Sequence, residues 1–211
     1  MADSAPPNTA PAPRGVRLSR DARRAQLLGA ARDVFAANGY HAAGMDDIAE
    51  QAGVSKPVLY QHFPGKLELY QALLRTYADE LVARLREAIE STHDNKLRVH
   101  GAVAAYFDFV AGEGQSFRLI FESDLRSEPA AAAVVDRAVT ECIDLVARVV
   151  SEDAGLDTAR ARLLAVGLIG LSQVTAQYWL DSGRDVPREE AVALMVGLAW
   201  RGLAGFPLIH D

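Results

Sequence analysis

The sequence predicts an all-α protein in which an N-terminal three-helix helix-turn-helix domain precedes a larger α-helical domain. Three observations carry this reading: two short amphipathic segments flank a glycine turn at residues 45–63, a long helical repeat runs on from Lys66, and only helical patterns follow it. In the first short segment Met45, Ile48, Ala49 and Ala52 follow the i, i+3, i+4, i+7 spacing of one buried helix face. Gly53 ends it, because a sharp reversal needs the left-handed backbone that glycine adopts without steric cost. Val54 can plug the corner, Ser55 is a good N-cap, and Pro57 is tolerated in the first turn of the next helix. Leu59 and Phe63, four apart, then face inward and leave Lys56, Pro57, Tyr60, Gln61 and His62 free to meet a partner.

Upstream, Pro6, Pro7, Pro11 and Pro13 among small residues make residues 1–18 a disordered tail by composition. From Ser19, the residues Leu27, Ala30, Ala31, Val34 and Phe35 mark one helix face that Asn38-Gly39 stops, so residues 19–65 form a trihelical unit. Residues 66–211 form the second domain. Its first helix, from Lys66 to about Ser91, is long enough to join the two. Leu97 to Ala111, Gln115 to Ser123, Glu128 to Val150, Asp157 to Leu180 and Pro187 to Leu203 read as further helices.

Composition sets the outer bounds. Half of the 211 residues are hydrophobic, enough for one substantial core or two smaller ones. No apolar run reaches the roughly 18 residues of a membrane span, and no apolar leader opens the chain, so a soluble cytoplasmic protein is expected. The single cysteine, Cys142, rules out an internal disulfide and a multi-cysteine metal site, and it sits in an apolar helical pattern that reads as core. Net charge is −6, which argues against coating nucleic acid by bulk electrostatics. The distribution matters more: residues 1–75 hold nine Lys+Arg against seven Asp+Glu, whereas the remainder is strongly acidic. Arg14, Arg17, Arg20, Arg23, Arg24, Lys56 and Lys66 can supply local phosphate neutralisation.

A recognition helix enters the major groove with its N-terminal residues against base edges, while phosphate contacts fix register. On that layout Ser55 opens the helix, Lys56 reaches guanine acceptors or a phosphate, Pro57 and Val58 touch a thymine methyl, and Gln61 pairs with adenine. His62 holds the DNA backbone, Lys66 meets a phosphate at the positive end of the fourth helix, and Arg14 and Arg17 add a basic arm. Tyr60 has two readings, a backbone contact through its hydroxyl or packing against Leu59 and Phe63.

Ile48-Ala49, Gly53-Val54-Ser55 and Leu59-Tyr60-Gln61-His62-Phe63-Pro64-Gly65-Lys66, with Phe35 and Gly39-Tyr40 upstream, resemble the tetracycline-repressor (TetR) family of bacterial transcriptional regulators. The resemblance covers residues from about 20 to 70. It implies an all-α homodimer, palindromic double-stranded DNA as partner, and a divergent second domain that binds a small effector and dimerises through its last two long helices. One departure matters: relatives commonly carry Ser or Thr at the cap of helix 2, where this chain has Gly44 after Ala43 and an acidic Asp46 in the first turn. No side-chain DNA contact is therefore expected from helix 2.

For a small apolar effector, Tyr106, Phe109, Phe117 and Phe121 are candidate pocket aromatics, with Gln173, Gln177 and Tyr178 as polar anchors. For the dimer, the last two helices mix small and large apolar residues without a polar face. Gly167, Gly170, Leu171, Val174, Leu194, Gly197, Leu198 and Arg201 are the interface candidates, since glycine lowers helix propensity by up to ~1 kcal/mol and close helix approach would compensate. His93 and His100, seven apart, lack acidic or cysteine partners at ligand spacing, so neither a metal nor a cofactor is expected. The chain has no glycine-rich phosphate loop, Gly-x-Ser-x-Gly or His-Glu-x-x-His, which leaves an enzyme unsupported. The reading that follows is a repressor released by an effector; the alternative is an all-α assembly factor that uses these helices only for protein contacts.

Overall fold

The computed structural model describes residues 18–112 and 128–203. Among these residues there are eight helices and no strand: α1 (Arg20–Ala42), α2 (Met45–Gln51), α3 (Lys56–His62), α4 (Lys66–Glu90), α5 (Asn95–Gly112), α6 (Pro129–Ala154), α7 (Thr158–Asp181) and α8 (Arg188–Leu203). The helix expected at Gln115 to Ser123 lies outside the described residues, as do Arg14, Arg17, Phe117 and Phe121.

Helix α1 opens with Ser19, whose hydroxyl accepts from the Ala22 N–H at 3.1 Å. Its regular part ends where the sequence places the stop: Gly39 has φ 71°, ψ 169°, and a last turn runs on to Ala42. The turn between α2 and α3 depends on Gly53 at φ 62°, after which Val54 half-buries its side chain against the core. Gln26 of α1 ties this turn down by donating to the Ala52 carbonyl at 2.8 Å. Ser55 holds the N-cap position of α3, but its hydroxyl makes no capping bond, contrary to the sequence expectation; Pro57 at the second position has removed one of the N–H groups such a cap would serve.

Leu27, Ala31 and Phe35 from α1, Ile48 from α2, Leu59 from α3, Phe63, and Leu69, Tyr70 and Leu73 from α4 are almost wholly buried together. The aromatic centre is a cluster in which the Tyr70 ring meets Phe35 and Tyr40 edge-on, both at 5.1 Å between centroids. Lys66 locks α4 to this unit. Its ammonium donates to the carbonyls of Tyr40 (2.9 Å), His41 (3.2 Å) and Ala43 (2.9 Å) and stands 4.6 Å over the Tyr40 ring. An ammonium has three donors, so the phosphate contact expected of Lys66 is corrected: the charge caps the carbonyl end of α1.

The rest of the molecule packs along α4, whose buried face runs from Leu69 to Ile89. Helices α5 and α6 lie against it, and α7 and α8 cover α5 and α6 from the far side. Phe107 and Trp179 meet across α5 and α7 at 5.6 Å. The expectation of no span-length apolar stretch is also corrected, because α7 is long and apolar enough, by length and composition, to cross a membrane. One stripe of α7 stays exposed, with Leu163 at 73 % and Val174 at 63 %.

Two variants test these joints. Gly53→Ala is expected to cost about 1–2 kcal/mol, read as a lower urea midpoint; a Cβ there meets nothing within 4 Å, so the loss is purely one of backbone conformation. Lys66→Met should cost about 2 kcal/mol, roughly 4–8 °C in Tm by calorimetry, because three carbonyls lose a charged donor. An unchanged Tm would sink the capping role.

Candidate nucleic-acid interface and interior cavity

The exposed surface of α3 is formed by Ser55, Lys56, Pro57, Tyr60 and Gln61, with Val58 and His62 half-buried beside it. Leu59 and Phe63 anchor the opposite side, at 0 % and 2 % exposure. Five of the seven residues expected to read DNA are thus exposed on one side of α3. Tyr60 is 47 % exposed, which decides between its two readings in favour of an open side chain. The Arg24 guanidinium lies 4.5 Å over the Phe63 ring at the carboxyl end of α3. In the first turns of α1, Arg20 is exposed and Arg23 donates to Gln26 at 2.8 Å.

Lys56 is not solitary. Its ammonium donates to Asp46 of α2 at 2.6 Å, and this carboxylate raises the Lys56 pKa above its ordinary value. Asp47, one residue on, is turned the other way and accepts from the Gly44 N–H at 3.0 Å. Gly44 thus starts α2 without a hydroxyl, as the sequence indicates, and of the two acidic residues in its first turn Asp46 meets the recognition helix.

The second domain contains a cavity apart from the described residues expected to form a pocket. A cavity of about 220 Å³ lies between the carboxyl end of α4 and helices α5 to α8. Ile89, Val99, Ala102, Val149, Leu164 and Leu168 typify its apolar wall, and Trp200 reaches it from α8. One corner is polar. Arg98 there donates to Asp153 at 2.9 Å, to Asn95 at 3.1 Å and to the Thr92 carbonyl at 2.8 Å, and His93 Nδ1 stands 3.4 Å from its other terminal nitrogen.

None of the described residues proposed for the pocket lines this cavity. Tyr106 and Phe109 are fully buried in the hydrophobic core. Gln173 and Gln177 are half-buried elsewhere on α7, and Tyr178 is 73 % exposed on its outer side. Helical spacing identifies a face without saying which neighbour covers it. Arg98, Asn95 and Asp153 were missed; their signal was a polar group set among Leu97, Val99 and Val149-Val150, in helices otherwise rich in apolar residues. Cys142 is fully buried, and burial pushes its thiol up to about 11, which leaves it protonated and unreactive near neutral pH.

The remaining candidates sit on the outer face of α7 and α8. Val174, Leu194 (56 %) and Leu198 (58 %) are exposed, as are Gly167 and Arg201, while Gly170, Leu171 and Gly197 are half-buried. A Cβ added at Gly167, Gly170 or Gly197 meets nothing within 4 Å, so packing inside this subunit does not require glycine at any of them.

Comparison with known proteins accords with this geometry. The model for bacterial regulatory proteins of the tetR family matches residues 27–73, and that for the tetracyclin repressor-like C-terminal domain matches residues 95–202. The chain is 52 % identical to the HTH-type transcriptional activator FasR of Mycolicibacterium smegmatis over 94 % of its own length and 90 % of that protein. It is 34 % identical to the HTH-type transcriptional repressor KstR2 of Mycobacterium tuberculosis over 56 % of this chain and 60 % of that one. Its fold superposes on FadR of Bacillus subtilis, solved in complex with stearoyl-CoA, with a TM-score of 0.71 at 21 % identity, covering 83 % of this chain and 96 % of the other. With α2 and α3 presenting an exposed reading surface and both halves of the chain matching, the protein belongs to the TetR family of bacterial transcriptional regulators and is a DNA-binding regulator of transcription.

Proposed function

We propose that the protein binds a palindromic operator as a homodimer through Ser55, Lys56, Pro57, Val58, Tyr60, Gln61 and His62, and that a small apolar effector in the α4–α8 cavity controls this binding. The observation that carries the reading is the pairing of an exposed α3 surface with an apolar face on α7 and α8. One seven-residue helix reads too few bases for a specific site, and a two-fold pair of them, spaced for successive major grooves, reads enough. Leu163, Val174, Leu194 and Leu198 are the apolar surface, and Gly167 and Gly197 the close-approach points, of a four-helix interface between two subunits.

The effector reading rests on the cavity's shape and lining. Apolar walls ending at the Arg98, Asp153 and Asn95 corner suit a long aliphatic chain with a polar head, the chemistry of the stearoyl-CoA in the Bacillus subtilis FadR structure. Ile89 lines the cavity at one end of α4 and Lys66 holds the other end to the DNA-reading unit, about 35 Å away along the helix axis. A ligand that alters the α4 end therefore changes the separation of the two α3 helices, provided it binds the two arrangements unequally. The sense of regulation depends on where the operator lies. The relative at 52 % identity is an activator, which favours activation over the repression expected from sequence alone.

Selection from random-sequence DNA followed by gel shift should return an operator with two-fold symmetry. Leu194→Asp with Leu198→Asp should convert a sedimenting dimer to monomer and lose operator binding at least tenfold. No enriched sequence at low salt, or a wild-type monomer on the operator, refutes the reading. Stearoyl-CoA titrated into the protein should alter tryptophan emission through Trp200 and weaken operator binding, and Ala102→Phe, which fills the cavity, should suppress both responses. Binding that ignores Ala102→Phe places the effector elsewhere.

A further inference from the structure

The Lys56–Asp46 pair has a consequence beyond local stability. An exposed lysine at the start of a recognition helix is a mobile point charge and serves any phosphate it meets. Here its ammonium is held at 2.6 Å by a carboxylate that arrives from the first turn of α2, ten residues earlier in the chain. Both side chains are well exposed, at 60 % and 62 %, so the pair lies on the surface that DNA must approach. Asp47 is committed to the Gly44 N–H and Lys66 to the carbonyls of α1, so neither neighbour competes for the pair.

We propose that Asp46 is a positioning residue that converts Lys56 from a phosphate-seeking charge into a directional reader of guanine. One of the three ammonium donors stays on Asp46, which leaves two on an exposed ammonium at the first turn of α3 to meet the paired O6 and N7 acceptors of a guanine in the major groove. The shared carboxylate cancels the charge that would otherwise attract the DNA backbone indiscriminately, and it repels a phosphate placed beside α2. Register is then permitted where a guanine meets Lys56 and penalised elsewhere. The inference rests on the proposed α3 interface and adds to it a source of sequence preference on a different helix.

The test compares the intact wild-type chain with Asp46→Asn, Lys56→Ala and the double variant, on the selected operator and on a scrambled duplex of equal composition, across a salt series. Asp46→Asn frees one cation, so it should tighten the scrambled duplex, steepen the slope of log affinity against log salt by about 1, and lower the operator-to-scrambled ratio roughly fivefold to tenfold. In the Lys56→Ala background the same change removes only the carboxylate's own repulsion of phosphate, so it should leave the operator-to-scrambled ratio unmoved, which separates this role from any effect of Asp46 on α2 itself. An unchanged ratio in Asp46→Asn, or an equal change of the ratio with and without Lys56, overturns the proposal while leaving the interface standing. If Lys56→Ala alone binds both duplexes like wild type, Lys56 does not touch DNA, and its place in the interface falls together with the proposal.

Discussion

The structure turns on the burial of Leu59 and Phe63. Helix α3 has seven residues, too few to persist alone in water, because helix nucleation costs more than so few backbone bonds return. It exists because Leu59 and Phe63 enter a pocket formed by α1, α2 and α4. The same two contacts fix the rotation of the helix about its axis. Ser55, Lys56, Pro57, Tyr60 and Gln61 face outward together for that reason. Every function assigned to the first domain depends on this orientation.

Orientation alone would not couple the reading surface to the rest of the chain. The coupling comes from Lys66, whose donors join the first turn of α4 to the last turn of α1, and from the Phe35, Tyr40 and Tyr70 cluster beneath it. Aromatic packing and a charged cap leave α4 little freedom to swivel at this end. Its other end is built differently. Ile89 borders a cavity, and the Arg98–Asp153 ion pair forms the polar corner beside it. Helix α4 is thus held by charge and aromatic packing at one end and borders a cavity at the other.

Helices α7 and α8 work on two sides. Leu164, Leu168 and Trp200 close the cavity from within, while Leu163, Val174, Leu194 and Leu198 stand on the outer face. This explains why both helices lack a polar face in sequence, and why α7 carries the apolar content of a membrane-spanning segment. The glycines mark the outer side, since nothing within the subunit crowds them.

The sequence by itself determined the elements whose signals are local: the start of α1 near Ser19, the Gly39 stop, the Gly53 turn and the outward residues of α3 all follow from backbone conformation and a periodicity that spans a few residues. The predicted spans of α4 to α8, outside the undescribed segment, agree with the structure to within a few residues for the same reason. Which side chains meet was decided only by the fold. Lys66 turned from DNA to the α1 carbonyls, Lys56 found Asp46, and the cavity formed at Arg98 and Asp153 instead of at Tyr106, Phe109, Gln173, Gln177 and Tyr178. Periodicity tells a residue's face on its own helix, whereas a cation's partner or a cavity's wall depends on where another helix ends, and that position is set by packing across the whole chain.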